Sequence, residues 1–204
     1  MTNASNADLV EFYDAIYREN AEKWSFALLD AIAFASIAEY TNNPEKVMDF
    51  GCGNGHTLEF FSKRWRNAKY TGIDISNVAL EIARKKLPDA SYYNAVPVGE
   101  KWDLIIMMGV LEHMPDISGA LEHISGLLEE GGYLYIVVPN CLAYSDSKEE
   151  GFRQSSNEVG QEEWHLKRST WEGMLMASGL KPVQAIYGPS RQDEFGWILR
   201  KDGA

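Results

Sequence analysis

Val47-Met48-Asp49-Phe50-Gly51-Cys52-Gly53-Asn54-Gly55-His56 is an apolar run that ends in three glycines spaced two apart. A short apolar run reads as a buried strand, and Thr57 to Trp65 has helical periodicity, so the glycines fall on a strand-to-helix turn. Glycine lets backbone approach a ligand closely, and the helix that follows aims its first N–H groups at a carboxylate or phosphate. Tight packing of strand on helix uses the same composition, so the turn alone leaves both readings open. Its spacing narrows the ligand. The dinucleotide fingerprint G-x-G-x-x-G needs glycine or alanine where this chain has His56, and no Gly-Lys-Ser/Thr follows, which excludes a phosphate-cradling P-loop.

Outward from the turn, apolar runs alternate with helix-period runs. Lys46 to Phe50 and Tyr70 to Ile75 read as strands, and Ser76 caps a helix whose Ala79, Leu80, Ala83 and Leu87 share a face until Pro88. Ser91 to Tyr93 is a short strand and Asp103 to Met108 a strongly buried one. A helix from Asp116 carries Ile117, Ala120, Leu121, Ile124 and Leu128 and is expected to end at Gly131-Gly132. Tyr133 to Val138 is a fifth strand, and the polar, acidic stretch Asn140 to Glu163 reads as a long loop. Ser169 and Glu172 predict a capping box on a helix that stops at Gly179. Lys181 to Tyr187 and Glu194 to Arg200 then make two strands that Gly188-Pro189-Ser190 lets run antiparallel. Upstream lie an amphipathic helix through Leu9 to Tyr17 and an almost wholly apolar one from Trp24 to Tyr40, broken by Asn42-Asn43-Pro44. The expected fold is α/β: a three-layer α/β/α sandwich around a Rossmann-like, mostly parallel seven-stranded sheet with its last strand antiparallel.

The chain has 204 residues, 45% hydrophobic and 24% charged, the proportions of one globular domain rather than of a disordered or disulfide-framework chain. Nineteen Lys and Arg against thirty Asp and Glu leave a formal net charge of -11. That charge disfavours nucleic acid and anionic membranes as partners and makes a small molecule the expected one. Cys52 and Cys141 have no CxxC spacing, so neither zinc nor a disulfide framework is indicated, and no metal is expected. The start lacks a basic segment followed by an apolar one, and no uncharged apolar run of eighteen residues occurs. The expected location is cytoplasmic, with no membrane insertion.

Nineteen residues after Gly55 comes Asp74, at the carboxyl end of the second strand, where a doubly wound sheet opens its ligand crevice. A carboxylate there can accept two hydrogen bonds from a ribose diol; a solvated turn is the plainer role for the same residue. Glycine turn and acid together indicate adenosine without a pyrophosphate.

The segments VMDFGCGNG, YTGIDIS, WDLIIMMGVLEHMPD and LLEEGGYLYIVVPN, in this order, resemble the class I S-adenosylmethionine-dependent methyltransferases over about Lys46 to Pro139. VLEHMPD is most similar to the small-molecule branch that includes the ubiquinone and menaquinone biosynthesis enzymes. The resemblance implies S-adenosyl-L-methionine as cofactor. Asp49 would help bind its ammonium group, Gly51, Gly53 and Gly55 would leave it room, Asp74 would hold the ribose and Asn94 the adenine amino group. Met108 and Gly109 would lie along it, with Leu111 or a neighbour on the adenine. Tyr13 and Tyr17 fall in residues 1–41, which relatives fold over the cofactor as a lid, and 140–165 becomes the substrate loop of a single methyltransferase domain spanning 1–204. His113 and His165 are the candidate bases; each also has a plainer role, orienting a loop or lying on the surface. His56 and His123 read as structural.

The function this implies is methyl transfer to a small acceptor, whose identity, methylated atom and pathway the sequence leaves open, as it does the oligomeric state. Two other classes share part of the pattern: a nicotinamide-dependent oxidoreductase, which His56 argues against, and a cofactor-binding protein of the same fold without catalysis.

Overall fold

The computed structural model describes residues 6–23, 28–140, 142, 149–154, 162–186 and 194–203. It begins with α1 (Asn6–Glu19), α2 (Leu28–Tyr40), β1 (Lys46–Phe50), α3 (His56–Arg64), β2 (Lys69–Ile73), α4 (Asn77–Lys86), β3 (Ser91–Tyr93) and β4 (Trp102–Met108). A 3-10 turn (Leu111–His113), α5 (Ile117–Leu127), β5 (Leu128–Pro139), β6 (Gly151–Gln154), β7 (Glu162–His165), α6 (Arg168–Ala177), β8 (Leu180–Ile186) and β9 (Glu194–Lys201) follow.

Seven strands make one sheet in the order β3-β2-β1-β4-β5-β9-β8; β3 to β5 are mutually parallel, and β9 runs antiparallel to both β5 and β8. The mostly parallel seven-stranded sheet expected from the sequence is the one the chain builds. Its side chains alternate between two cores. Val47, Leu104, Ile106, Tyr135 and Val137 pack with Phe34 of α2, Phe61 of α3 and Leu80 of α4. Met48, Ile105, Met107, Ile136 and Val138 face the other way, toward Leu121 of α5 and Trp171 of α6. Strands buried on both faces carry no polar alternation, which explains the unbroken apolar character of Leu104 to Met108. Each such side chain contributes about 1.5–3 kcal/mol by leaving water, before entropy is counted.

Local signals set several element boundaries. Ser76 Oγ accepts from Ala79 N at 3.0 Å to open α4, and Asp116 Oδ1 accepts from Gly119 N at 2.9 Å to open α5. Gly55, with φ +81°, caps α3, and a Cβ on it would stand 2.8 Å from Ala83 Cβ, so its absence lets α3 and α4 approach.

Three expectations are corrected. First, α5 ends at Leu127, ahead of Gly131-Gly132, because Leu128 is buried and pairs with Trp102 as the first residue of β5. The two glycines lie in a bulge of that strand, between the Trp102–Leu128 and Leu104–Tyr133 pairs, where a Cβ on Gly132 would meet Glu129 O at 2.9 Å. Second, the capping box at Ser169 and Glu172 does not form: the N-cap is Lys167, and Glu172 Oε1 instead receives Arg168 Nε at 2.7 Å. Glu150 does the capping from outside, accepting Lys167 N at 2.7 Å. Third, the stretch 140–163 contains strand. β6 and β7 pair antiparallel with Phe152 opposite Trp164, their rings 5.0 Å apart, and Trp164 Nε1 donates to Met114 O at 3.0 Å. The expected turn at Gly188-Pro189-Ser190 lies outside the described residues.

Strand order reverses between β1 and β4, so a crevice opens there at the carboxyl ends of the strands. Asp49, Ile73, Tyr93, Met108 and Pro139 all reach that edge, and β9 enters it with Glu194, which pairs with Pro139. Among the described residues no helix is long and apolar enough to cross a membrane.

Candidate active site

A cavity of about 1090 Å³ occupies that edge. One end is built from the β1, β2 and β3 termini. Gly51 N and Cys52 N both donate to Ile73 O, at 2.7 and 2.9 Å, which folds the glycine turn across β2. Gly51 and Gly53 have φ of +83° and +50°, in the left-handed region that disfavours other residues. A Cβ on Gly51 would overlap the Val110 side chain, and one on Gly53 the Tyr17 hydroxyl. Asp74 then ties the turn to α4: Oδ2 accepts from Gly53 N and Oδ1 from Ser76 N, each at 2.8 Å. Each oxygen keeps a second lone pair for a hydroxyl donor. Burial pushes the Asp74 carboxyl up, opposed by those two bonds.

Asp49 is 3% exposed. Burial, and secondarily the charge on Asp74, push its carboxyl up to about 8 against a hydrogen bond from Thr57. A buried acid beside a half-buried one, with no Lys or Arg among the described residues that line the cavity, suits a ligand that brings an ammonium group to one and a diol to the other. Asn94 spends its Nδ2 on Asp74 O at 3.2 Å, which leaves Oδ1 able to accept from an amino group. Met108 and Gly109 line the wall, and Gly109 N donates to Val137 O at 2.9 Å. Gly55 lies off the wall, in the α3–α4 contact already described. Leu111 is wholly buried in the core, and Val96, Pro97 and Val98 supply apolar wall near Asn94 instead.

Tyr13 and Tyr17 also line the cavity, because α1 lies over the glycine turn. Asp14, whose spacing in α1 gave no signal, secures it: Oδ1 accepts from Ser76 Oγ at 2.6 Å and Val78 N at 3.1 Å. Asn54 Nδ2 donates to Ala21 O at 2.7 Å, and Glu22 bonds His56 and, at 3.1 Å, Lys86. Tyr17 is 6% exposed, and burial raises its phenol well above the usual range.

The other end gathers Glu112, His113, Met114, His123, Glu163 and Glu194. A ring nitrogen beside a carbonyl must carry the proton, so His113 Nδ1, 3.1 Å from Glu162 O, is the donor. Burial lowers the His113 pKa, and the neutral ring keeps its Nε2 lone pair 3.7 Å from Glu112 Oε1. Glu112 is 2% exposed; burial, with Glu163 and Glu194 adding repulsion, pushes it up to about 8. Its Oε2 has no hydrogen-bond partner among the described residues. His165 is 4% exposed and off the wall, with Nε2 3.3 Å from Oε1 of Glu163, which is on the wall. Sequence reading missed all three glutamates, Glu112, Glu163 and Glu194, although Glu112 sits beside His113 in the VLEHMPD segment.

A Rossmann-like sheet with an acid-flanked glycine turn at its first two strand ends and a second chamber after the fourth defines the class I S-adenosylmethionine-dependent methyltransferase fold. The chain belongs to the methyltransferase-domain family, whose sequence profile matches residues 17–185. Over 107 residues it is 33% identical to trans-aconitate 2-methyltransferase from Rhodopseudomonas palustris, a match covering 50% of this chain and 41% of that protein. The chain thus spans less than half the length of the curated relatives it matches. In fold it is similar to 1,6-didemethyltoxoflavin-N1-methyltransferase of Burkholderia thailandensis, with TM-score 0.77, 18% identity and coverage of 99% and 92% of the two chains. It is also similar to the cyclase SpnF, with TM-score 0.75, 15% identity and coverage of 100% and 99%.

The residues fit S-adenosylmethionine: the glycine cradle has no room for a Cβ, and Asp49 and Asp74 match the cofactor's ammonium and ribose donors.

Proposed function

We propose that this chain transfers a methyl group from S-adenosylmethionine to a small-molecule acceptor held at the Glu112–His113 end of the cavity. The carrying observation is that a single cavity joins the Asp49, Gly53 and Asp74 cradle to a second polar chamber. Bound S-adenosylmethionine supplies a methyl group already activated on a sulfonium, so the protein has mainly to position an acceptor and exclude water.

Asp49 holds the ammonium, Asp74 the ribose, Asn94 the adenine amino group, and Gly51, Gly53, Met108 and Gly109 flank the ligand. Tyr13 and Tyr17 close that end over it, so of the expected lid 1–41 it is α1 that covers the ligand, while α2 packs in the core of the same domain. His113 Nε2 takes a proton from the acceptor, its ring held by the bond to Glu162 O. His165 acts at one remove, by orienting Glu163. Residues 140–165 contribute to acceptor recognition through β7, consistent with the small-metabolite branch that VLEHMPD resembles. A formal charge of -11 keeps nucleic acid outside the acceptor class and fits a cytoplasmic metabolite enzyme.

Fold alone does not carry the activity, since a cyclase shares it. The test is incubation with S-adenosylmethionine labelled in its methyl group and a panel of small acceptors. Labelled product with equimolar S-adenosylhomocysteine supports transfer; binding with no product across the panel supports the binding-only alternative. Reduction by NADH would revive the oxidoreductase.

A further inference from the structure

We propose that the acceptor is bound through a basic or N–H-bearing nitrogen, held by the carboxyl group of Glu112 with Glu163 beside it, so that amines and N–H heterocycles are accepted and polycarboxylates are refused. The inference rests on the methyltransferase reading and names the substrate class of the same cavity.

Its starting point is Glu112 Oε2: an oxygen on a side chain 2% exposed, on the cavity wall, with no hydrogen-bond partner among the described residues. A buried acceptor left unmade is unfavourable, and an arriving donor removes that penalty. The other oxygen is placed too. Oε1 stands 3.7 Å from His113 Nε2 and 3.6 Å from where a Cβ on Gly109 would be, so the carboxyl group sits at the β4 terminus between the cofactor end and the second chamber.

The surroundings give the sign. Glu163 is 5% exposed and on the same wall, and Glu194 lines it from β9. Among the described residues that line the cavity there is no Lys or Arg. Glu112 and Glu163, with no Lys or Arg among the described lining residues, disfavour an anionic acceptor, whereas an ammonium or N–H group both supplies Oε2 with a donor and favours the charged form of Glu112. His113 supplies no cation to this wall, because its Nδ1–H is spent on Glu162 O and burial disfavours its protonated form. Among the described residues no three His, Cys, Asp or Glu side chains stand together as metal ligands, so the cation that suits this chamber is organic.

The trans-aconitate methyltransferases that the chain resembles are named for a tricarboxylate acceptor. Their likeness covers half of this chain, and the inference separates the two acceptor chemistries directly.

The test is calorimetry on the protein saturated with S-adenosylhomocysteine, near neutral pH, using benzylamine, benzoate and trans-aconitate as probes. Benzylamine should bind at least about tenfold more tightly than benzoate of the same ring size, and trans-aconitate should bind no better than benzoate. Glu112→Gln should lose about tenfold in benzylamine affinity while S-adenosylhomocysteine still binds. Benzoate or trans-aconitate binding as tightly as benzylamine, or no benzylamine binding to the S-adenosylhomocysteine complex, overturns the inference; the wild-type comparison decides this even if the variant misfolds. Failure of S-adenosylhomocysteine itself to bind is a separate result, which removes the methyltransferase reading along with the acceptor class.

Discussion

Asp74→Ala should damage two properties at once, because this carboxylate holds the glycine turn to α4 and, in the proposed binding mode, keeps its other lone pairs for the ribose. In the protein it accepts Gly53 N and Ser76 N at 2.8 Å each, so truncation leaves two backbone donors without their partner. An unmade buried bond costs roughly 1–3 kcal/mol, but water from the cavity can reach these groups, and loss of the charge relieves repulsion with Asp14. The net loss in stability should be about 1–3 kcal/mol, visible as a lower urea midpoint with unchanged slope. The ribose contacts add their own loss of about 1–3 kcal/mol in S-adenosylhomocysteine binding, a rise in Kd of roughly 5- to 150-fold by calorimetry. Asp74→Asn, which keeps one acceptor oxygen, should fall between wild type and Ala on both measures. Unchanged S-adenosylhomocysteine affinity in folded Asp74→Ala would refute the placement of ribose on this residue.

Gly53→Val should abolish S-adenosylhomocysteine binding and lower the melting temperature, since its φ of +50° is strained for valine and the new side chain would displace Tyr17; a variant that binds normally contradicts the pose. Asp49 has a folded pKa of about 8 against 3.8, so the folded protein retains a proton that the unfolded chain releases. Stability of the ligand-free protein should therefore fall as pH rises from about 4 to 8, with Glu112 acting in the same direction, and Asp49→Asn should flatten part of the slope in a melting series. A slope unchanged by Asp49→Asn would count against this assignment. Backbone amides of α1 and β7 should exchange more slowly with solvent when cofactor and acceptor are bound; equal exchange rates would argue against a lid.

The parallel core was legible because strands buried on both faces spell continuous apolar runs, and because glycine spacing and Asp74 sit at fixed offsets from them. Leu128 shows where that legibility ends. It continues the helical stripe of α5 in sequence, yet its pairing with Trp102 draws it into β5, a tertiary preference that no local pattern carries. The β6–β7 hairpin was hidden for a related reason: each strand has four residues in a polar stretch, and only Phe152 opposite Trp164 marks it. Among site residues, Asp49, Gly53, Asp74 and Asn94 follow from strand ends, and the structure gathers them at one end of the cavity. Asp14 and Asn54 act across long sequence separations and look like ordinary polar residues on their own elements. Glu112 was overlooked beside His113 because its distinguishing property is burial. His165 does not line the cavity; Glu163, two residues earlier on the same face of β7, does.

The central claim, that this cavity is a site for S-adenosylmethionine, is tested most directly by titrating the wild-type protein with S-adenosylhomocysteine in a calorimeter and repeating the titration with NADH. Saturable 1:1 binding of S-adenosylhomocysteine, displaced by S-adenosylmethionine, with no heat from NADH, is the expected result. No S-adenosylhomocysteine binding at millimolar concentration, or NADH binding in its place, would contradict it.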